Sequence, residues 1–231
     1  MSLIRFLRSS KYNIDKAIEM TSNITKFYQQ YYNELKDINP INEFSEFSKF
    51  LLVLNDKDSS GRVIVVLQPG QVIKLITKEF KLKYPNAFLR FRVWLFDRLS
   101  WDYNVQVNGL ILLASFHGIS LYDTLSIKSI APIAHHRAVF QYLHYLGLRF
   151  GGSYLFEAPT VIHLFLLSVK QFMSQKMSSR FNLCGNDYNK CKDIIGNNDV
   201  SILPIVFGGK YDNNSSVNVW FENNKNFNLM L

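Results

Sequence analysis

Five histidines, two cysteines and the serine that follows a glycine pair are the residues whose types could do chemistry in this 231-residue chain. His135 and His136 are adjacent on a helical pattern and face different directions. His144 lies on roughly the same face as His136, with no third ligand evident. His117 ends a strand pattern beside Gly118, and His163 sits within an apolar helix. Zinc wants three or four ligands at characteristic spacings. These five lack them and read instead as capping or core hydrogen-bonding groups. Cys184 and Cys191 are too few for a disulfide framework and read as reduced thiols. A hydrolase nucleophile would stand in Gly-x-Ser-x-Gly at a strand-to-helix elbow. Ser153, after Gly152, lies inside a strand pattern, and no second glycine follows. Neither Gly-x-Gly-x-x-Gly nor a Walker loop is present. The expectation is no catalytic residue, no metal, no cofactor and no enzyme activity.

Binding chemistry is better represented. On a helix over 160–181, Val161, Leu164, Phe165, Ser168 and Phe172 share one face, and Ile162, Leu166, Val169, Met173 and Met177 the adjacent one. A surface helix normally needs one apolar stripe. Two stripes suit a movable lid between an apolar cavity and a membrane, or a helix central to a core. At its basic end Lys176 and Arg180 stand at i and i+4, where like charges repel. A bound anion would turn that cost into a gain, although a helix C-terminus also favours cations by itself.

The charge balance, 26 − 18 = +8, favours anionic partners. Without a dense Lys/Arg run, zinc-finger spacing or an RNP-type aromatic strand, nucleic acid is disfavoured. Hydrophobic content of 48% and an aromatic share of 15% support a sizeable core. The longest near-apolar run, Val161–Val169, is half the roughly 20 residues a spanning helix needs, and the N-terminus lacks a signal-peptide core. The chain reads as soluble.

Positioning these residues requires alternating elements. Asn13 caps a helix with apolar residues at helical spacing from Ile14 to Leu35. A short helix is predicted over Ile41–Leu54, and strands over Val63–Leu67, Leu110–Phe116 and Ser153–Phe156. Helices are predicted over Gln71–Lys83, Asn86–Tyr103 and Lys128–Leu146. The asparagine-rich tail from Asp212 is predicted to be poorly ordered, with Val217, Val219, Trp220 and Phe221 able to dock. Strands alternating with helices imply an α/β fold, a mostly parallel sheet flanked by helices.

In this order and spacing the chain resembles the CRAL-TRIO lipid-transfer family, in its animal branch of tocopherol-transfer, retinaldehyde-binding and clavesin proteins. The elements that carry the resemblance are Arg5-Phe6-Leu7-Arg8, Gly61–Leu67, Asn108-Gly109 through Gly118, Gly152–Pro159 with Lys170, Lys176, Arg180 and Gly185, and Leu203-Pro204 with Gly208-Gly209. The resemblance implies a sheet floor, a hydrophobic pocket and a gate helix that opens at membranes. By position, Arg149, Lys176 and Arg180 match a phosphoinositide-binding cluster, and Val161, Leu164 and Phe165 match membrane-gate residues. Phe91, Trp94, Leu110, Ala114, Leu146, Leu148 and Phe150 match ligand-pocket positions. Implied partners are one hydrophobic lipid (tocopherol-, retinoid- or phospholipid-like) and a phosphoinositide-containing membrane, with a cytoplasmic, peripheral location. A non-transferring lipid-sensing or protein-binding scaffold is the alternative.

The resemblance also divides the chain into a truncated N-terminal helical module (1–40), a lipid-binding domain (41–211) and a tail (212–231). Gly151 stands where a further basic residue is expected, Gly147 replaces a proline, and Ser115 and His117 replace an acidic pair. The family's two leading helices have no counterpart here, a truncation or a reduced variant. Apolar surface is therefore expected around Leu3, Phe6 and Leu7.

Overall fold

Val63-Ile64-Val65-Val66-Leu67 offers no polar side chain, so a strand made of it must be covered on both faces. In the computed structural model it is β2 (Val63–Leu67), and all five residues are buried. The structure describes residues 3–227 apart from 121, 124, 126–129, 131, 172, 174, 197–199 and 212–217; the side chains of Phe165 and Val169 are also outside the described set. Among the described residues β2 belongs to a five-stranded sheet in the order β1-β2-β3-β4-β5. The other strands are β1 (Leu51–Lys57), β3 (Leu110–Ser115), β4 (Phe150–Phe156) and β5 (Phe181–Gly185). β1 runs antiparallel to β2, and the remaining pairs are parallel, with Val63 opposite Leu110 and Ser153 opposite Phe181. The fold is α/β with a mostly parallel sheet, as expected.

The helices are α1 (Ile4–Ser9), α2 (Ile14–Gln30), α3 (Tyr32–Leu35), α4 (Pro40–Ser48), α5 (Pro69–Leu75), α6 (Lys78–Lys83), α7 (Ala87–Leu99) and α8 (Tyr103–Val107). After β3 come α9 (Ile133–Leu146), α10 (Thr160–Lys170), α11 (Gln175–Ser178), α12 (Lys190–Ile195) and α13 (Val219–Asn224). Asn13 caps α2 as its type predicts, its side chain accepting from the Lys16 amide at 2.9 Å. The long predicted helices are each divided at a capping residue. Thr77 caps α6 and Asp102 caps α8, so Gln71–Lys83 and Asn86–Tyr103 are both split. Of the helix predicted from Lys128, residues 128, 129 and 131 lie outside the described set.

Two predicted helices are corrected more deeply. Leu51–Leu54 is strand, not helix. Leu51 faces the main core while Leu52 and Leu54 face the smaller core across the sheet. Only a period of two sends neighbouring side chains to opposite faces. The helix predicted over 160–181 ends at Lys170, resumes for one turn as α11, and becomes β5 at Phe181. Without β5, the buried backbone of β4 would carry unpaired N–H and C=O groups. Pairing with β4 therefore outweighs helical continuity.

The main core lies between one sheet face and α1, α2, α4, α7 and α9, and includes Phe6, Phe27, Phe44, Phe91, Trp94 and Tyr142. The smaller core on the opposite face holds Ile64, Ile111, Phe156, Cys191, Ile195, Leu203 and Phe207. Phe6 is fully buried, which corrects the expectation of an exposed patch there, while Leu3 is 59% exposed. α1 is anchored by charge as well. Arg5 reaches Asp97 at 3.2 Å and Ser100 at 2.6 Å, and Arg98 shares the same carboxylate. Tyr142 donates to Asp97 at 3.1 Å and accepts from Tyr28 at 2.8 Å, since a carboxylate can only accept. Burial and the Asp97 charge push both phenols upward, so they stay protonated. Within the tail, α13 docks through Trp220 and Phe221, which stand edge-on to Trp94 at 5.8 and 5.7 Å, while Val219 is 65% exposed. Val217 lies outside the described residues.

Candidate functional site

Parallel strands begin at the same edge of their sheet. Arg62, Arg149 and Arg180 each stand immediately before a parallel strand, β2, β4 and β5 respectively, so topology alone brings three arginines to one edge. Ser153 pairs with Phe181, which sets Arg180 level with Gly152. Arg149 is three residues further down β4, about 10 Å at roughly 3.3 Å per residue. Arginine side chains span much of that interval. Arg149 is exposed and donates to the Val107 carbonyl at the end of α8. Arg180 is half-buried, its carbonyl accepting from the Ser153 amide at 2.7 Å. Lys176 is exposed on α11. The helix that was to space Lys176 and Arg180 ends at Ser178, so Arg180 sits on the turn after it.

Two cations that the sequence reading left without a site role adjoin this edge. Arg8 hydrogen-bonds Gln106 and lies 4.9 Å from the Tyr103 ring centroid, both on α8, the helix whose last residue holds Arg149. Arg62 occupies the space over Gly151. A Cβ on Gly151 would lie 2.5 Å from Arg62 Nη1, so the missing basic side chain at 151 leaves room that another arginine fills. Asp58 holds Arg62 through its Nε at 2.5 Å. Nothing in the local sequence signals this neighbour, because it comes from the pairing of β2 with β3 and β3 with β4. Gly147, the expected proline position, ends α9 at φ +63°. Proline is locked near −65° and could not adopt it.

α10 has an inside and an outside. Ile162 and Leu166 are buried in the main core, whereas Leu164 and Leu167 are 60% and 63% exposed. Val161 is half-buried against the core. Phe165 is on the helix, but its side chain lies outside the described set. Lys170 closes the helix by donating to the Phe181 carbonyl at 3.4 Å, tying α10 to β5. No helix among the described residues is long and apolar enough to cross a membrane.

The ligand-pocket candidates divide into two groups. Leu110, Ala114, Leu146 and Phe150 are buried in the main core between sheet and helices, with Leu148 partly buried beside them. Phe150 stacks on Phe181 at 5.9 Å. Phe91 and Trp94 lie on α7, where Trp94 is ringed by Phe44, Phe91, Trp220 and Phe221 and donates to the Phe227 carbonyl at 3.0 Å. A cleft of about 470 Å³ lies between α2 and α9 at Tyr31, Ile133 and Arg137. A cavity of about 230 Å³ lies between the α6–α7 turn and α9. None of the seven candidates lines either space.

Two of the five histidines have hydrogen-bonding partners in view. His117 Nδ1 lies 2.8 Å from Glu157 Oε2, and His136 Nδ1 lies 2.8 Å from Arg92. Among the described residues no three His, Cys, Asp or Glu side chains are grouped to hold a metal.

The "Alpha-tocopherol transfer protein-like" protein of Homo sapiens is 25% identical over 213 residues, covering 90% of this chain and 57% of its own length. Clavesin-1 of Xenopus laevis is 26% identical over 216 residues, covering 90% and 60%. The chain thus spans little more than half of these relatives. Among solved structures, Sfh5 superposes with a TM-score of 0.57 at 15% identity, covering 86% of this chain and 70% of its own, a likeness of fold. The CRAL/TRIO domain matches residues 47–209, from the end of α4 through all five strands to Gly209, and the chain belongs to that family.

Proposed function

We propose that the chain is a lipid carrier without enzymatic activity. It holds one hydrophobic molecule between α10, α9 and the sheet, and works in the cytoplasm at the surface of anionic membranes. The observation that carries this reading is the two-sidedness of α10, whose inner residues Ile162 and Leu166 close the core while Leu164 and Leu167 project outward. An exposed leucine pair on a helix that also roofs an apolar interior suits a gate whose outer face enters a bilayer. The arginine edge supplies the complementary charge: Arg149, Lys176 and Arg180 would grip a phosphoinositide headgroup, with Arg8 and Arg62 adding to the local field. Leu110, Ala114, Leu146, Leu148 and Phe150 would line the chamber when α10 swings out, and Phe91 and Trp94 would form its far wall. The names of the tocopherol-transfer relatives support a fat-soluble cargo.

Replacing Lys176 and Arg180 together by alanine is expected to slow delivery of a fluorescent tocopherol analogue to phosphoinositide-containing vesicles and to leave its equilibrium affinity nearly intact. Equal delivery rates would remove the headgroup role. A second reading, a non-transferring module, draws on the aromatic enclosure of Trp94 by α13. It expects no lipid in native mass spectra of the purified protein, whereas the carrier reading expects one per chain.

A further inference from the structure

The Arg62 side chain reaches across the sheet. Arg62 precedes β2 and Gly151 lies on β4, two strands away, about 10 Å at ~4.8 Å per strand. The arm passes over the start of β3, and its guanidinium covers Gly151. A Cβ on Gly151 would lie 2.5 Å from Arg62 Nη1 and 2.9 Å from Arg62 Cδ, with Ile111 Cγ2 next at 3.0 Å. Asp58 fixes the direction of the arm. One of its carboxylate oxygens accepts from the Ser60 and Arg62 amides at 2.9 and 2.8 Å, and the other from Arg62 Nε at 2.5 Å. The Asp58 side chain is fully buried, whereas a quarter of the Arg62 side chain, 25%, is exposed.

Among the described residues Nε is the guanidinium nitrogen that has a hydrogen-bond partner, which leaves the N–H groups of Nη1 and Nη2 to donate elsewhere. A guanidinium held by Nε presents those two nitrogens as a fork, the geometry that meets a phosphate with two parallel hydrogen bonds. Over Gly151 the fork stands between the two other arginines of the edge. The backbone of Arg180 is level with Gly152 on the neighbouring strand, about 6 Å from Gly151, and Arg149 is two residues back on β4, about 7 Å. Asp58 offsets part of the Arg62 charge at long range. What Arg62 adds beyond the local field is therefore directional and acts only on an oxygen in contact with it.

We propose that Arg62 is a direct ligand of the membrane headgroup, gripping a phosphomonoester over Gly151 together with Arg149 and Arg180. The inference rests on the reading of the arginine edge as a membrane-docking surface, and adds to it a selectivity among anionic lipids. A phosphomonoester on an inositol ring offers three terminal oxygens and as much as two charges, standing clear of the bilayer. The phosphodiester of phosphatidylserine lies at the glycerol, beneath the reach of a fork pinned to the sheet. Arg62 thus favours phosphoinositides over other lipids of equal total charge, and glycine is required at 151 because any side chain there would displace the fork.

The experiment measures co-sedimentation of the full chain with phosphatidylcholine vesicles carrying either phosphatidylinositol bisphosphate or phosphatidylserine, at the same surface charge. Gly151→Ala keeps every charge, and Gly151 does not occupy the left-handed region, so the added methyl acts by evicting the guanidinium. It is expected to weaken binding to the phosphoinositide vesicles roughly tenfold or more, the loss of a charge-assisted hydrogen bond, and to leave phosphatidylserine binding within twofold. Arg62→Gln is expected to do the same; its amide can still donate to Asp58, and the backbone bonds to Asp58 remain. Gly151→Arg, which evicts the fork but brings its own guanidinium, should bind phosphoinositide vesicles within threefold of wild type. If Gly151→Ala and Arg62→Gln bind like wild type while Lys176→Ala with Arg180→Ala does not, Arg62 is no ligand and the edge remains a docking surface. If that double variant also binds like wild type, the edge reading falls and this inference with it. Equal losses on both vesicle types would likewise overturn the directional role.

Discussion

Replacing Leu164 and Leu167 together by serine isolates the outer face of α10 from everything it covers. The two side chains are 60% and 63% exposed, so the core loses little. Burying a leucine fully is worth ~2 kcal/mol; with about three-fifths of each side chain still to be buried, the pair offers a bilayer about 2.5 kcal/mol. At 1.4 kcal/mol per factor of ten this is about a 60-fold change in membrane partitioning. Co-sedimentation with neutral phosphatidylcholine vesicles measures it without the contribution of charge. Urea unfolding should agree with wild type to within about 0.5 kcal/mol, as for other surface changes. Ile162→Ala is the contrasting variant, since it opens a gap in the core and should cost about 2–5 kcal/mol of stability. Partitioning of the double serine variant within threefold of wild type would refute the outer face as a membrane contact.

Asp97→Asn leaves Arg5 and Arg98 buried beside a neutral amide and replaces one of the two accepting oxygens by a donor, so a loss of about 3–5 kcal/mol is expected in urea unfolding. Phe221→Ala removes the edge-on ring over Trp94 and should loosen α13, seen as a red shift of tryptophan emission together with a stability loss of about 3–5 kcal/mol. Burial, then the neighbouring Cys184, pushes the Cys191 thiol up to about 12, so it should resist maleimide at neutral pH and label only as the protein unfolds. Rapid labelling of the native protein would contradict the smaller core.

What could be read from the sequence follows the range of the interactions involved. β2 was legible because five buried residues declare themselves without reference to a partner, and the α2 cap because Asn13 acts three residues away. β5 was not. Phe181–Gly185 has little burial of its own and exists as a strand because β4 needs a neighbour. The same holds for β1, whose leucines suit a helix until the sheet assigns them to two cores. In the candidate site, the residues before each strand were visible one by one. Their convergence on one edge, and the filling of the space over Gly151 by Arg62, depend on strand register.

Under the proposed carrier reading, the energetics of α10 make lipid charge necessary for exchange. Swinging the helix outward withdraws Ile162 and Leu166 from the core, a cost of about 3–6 kcal/mol at ~1.5–3 kcal/mol per side chain. Contact of Leu164 and Leu167 with a bilayer returns only about 2.5 kcal/mol of this on the same scale. Three cations near an anionic leaflet, Arg149, Lys176 and Arg180, add about 1 kcal/mol each. Apolar contact alone therefore leaves the closed form favoured, and the two contributions together bring opening close to balance. Transfer to neutral vesicles should consequently be about 100-fold slower than to vesicles rich in anionic lipid, the factor that ~3 kcal/mol corresponds to. Raising ionic strength toward 1 M, where the Debye length falls to about 3 Å, should abolish most of the difference. A stopped-flow transfer assay over both vesicle types and a salt series measures this directly. Equal rates on neutral and anionic vesicles would mean that α10 opens without the arginine edge, and that its hold on the core is weaker than the burial of Ile162 and Leu166 requires.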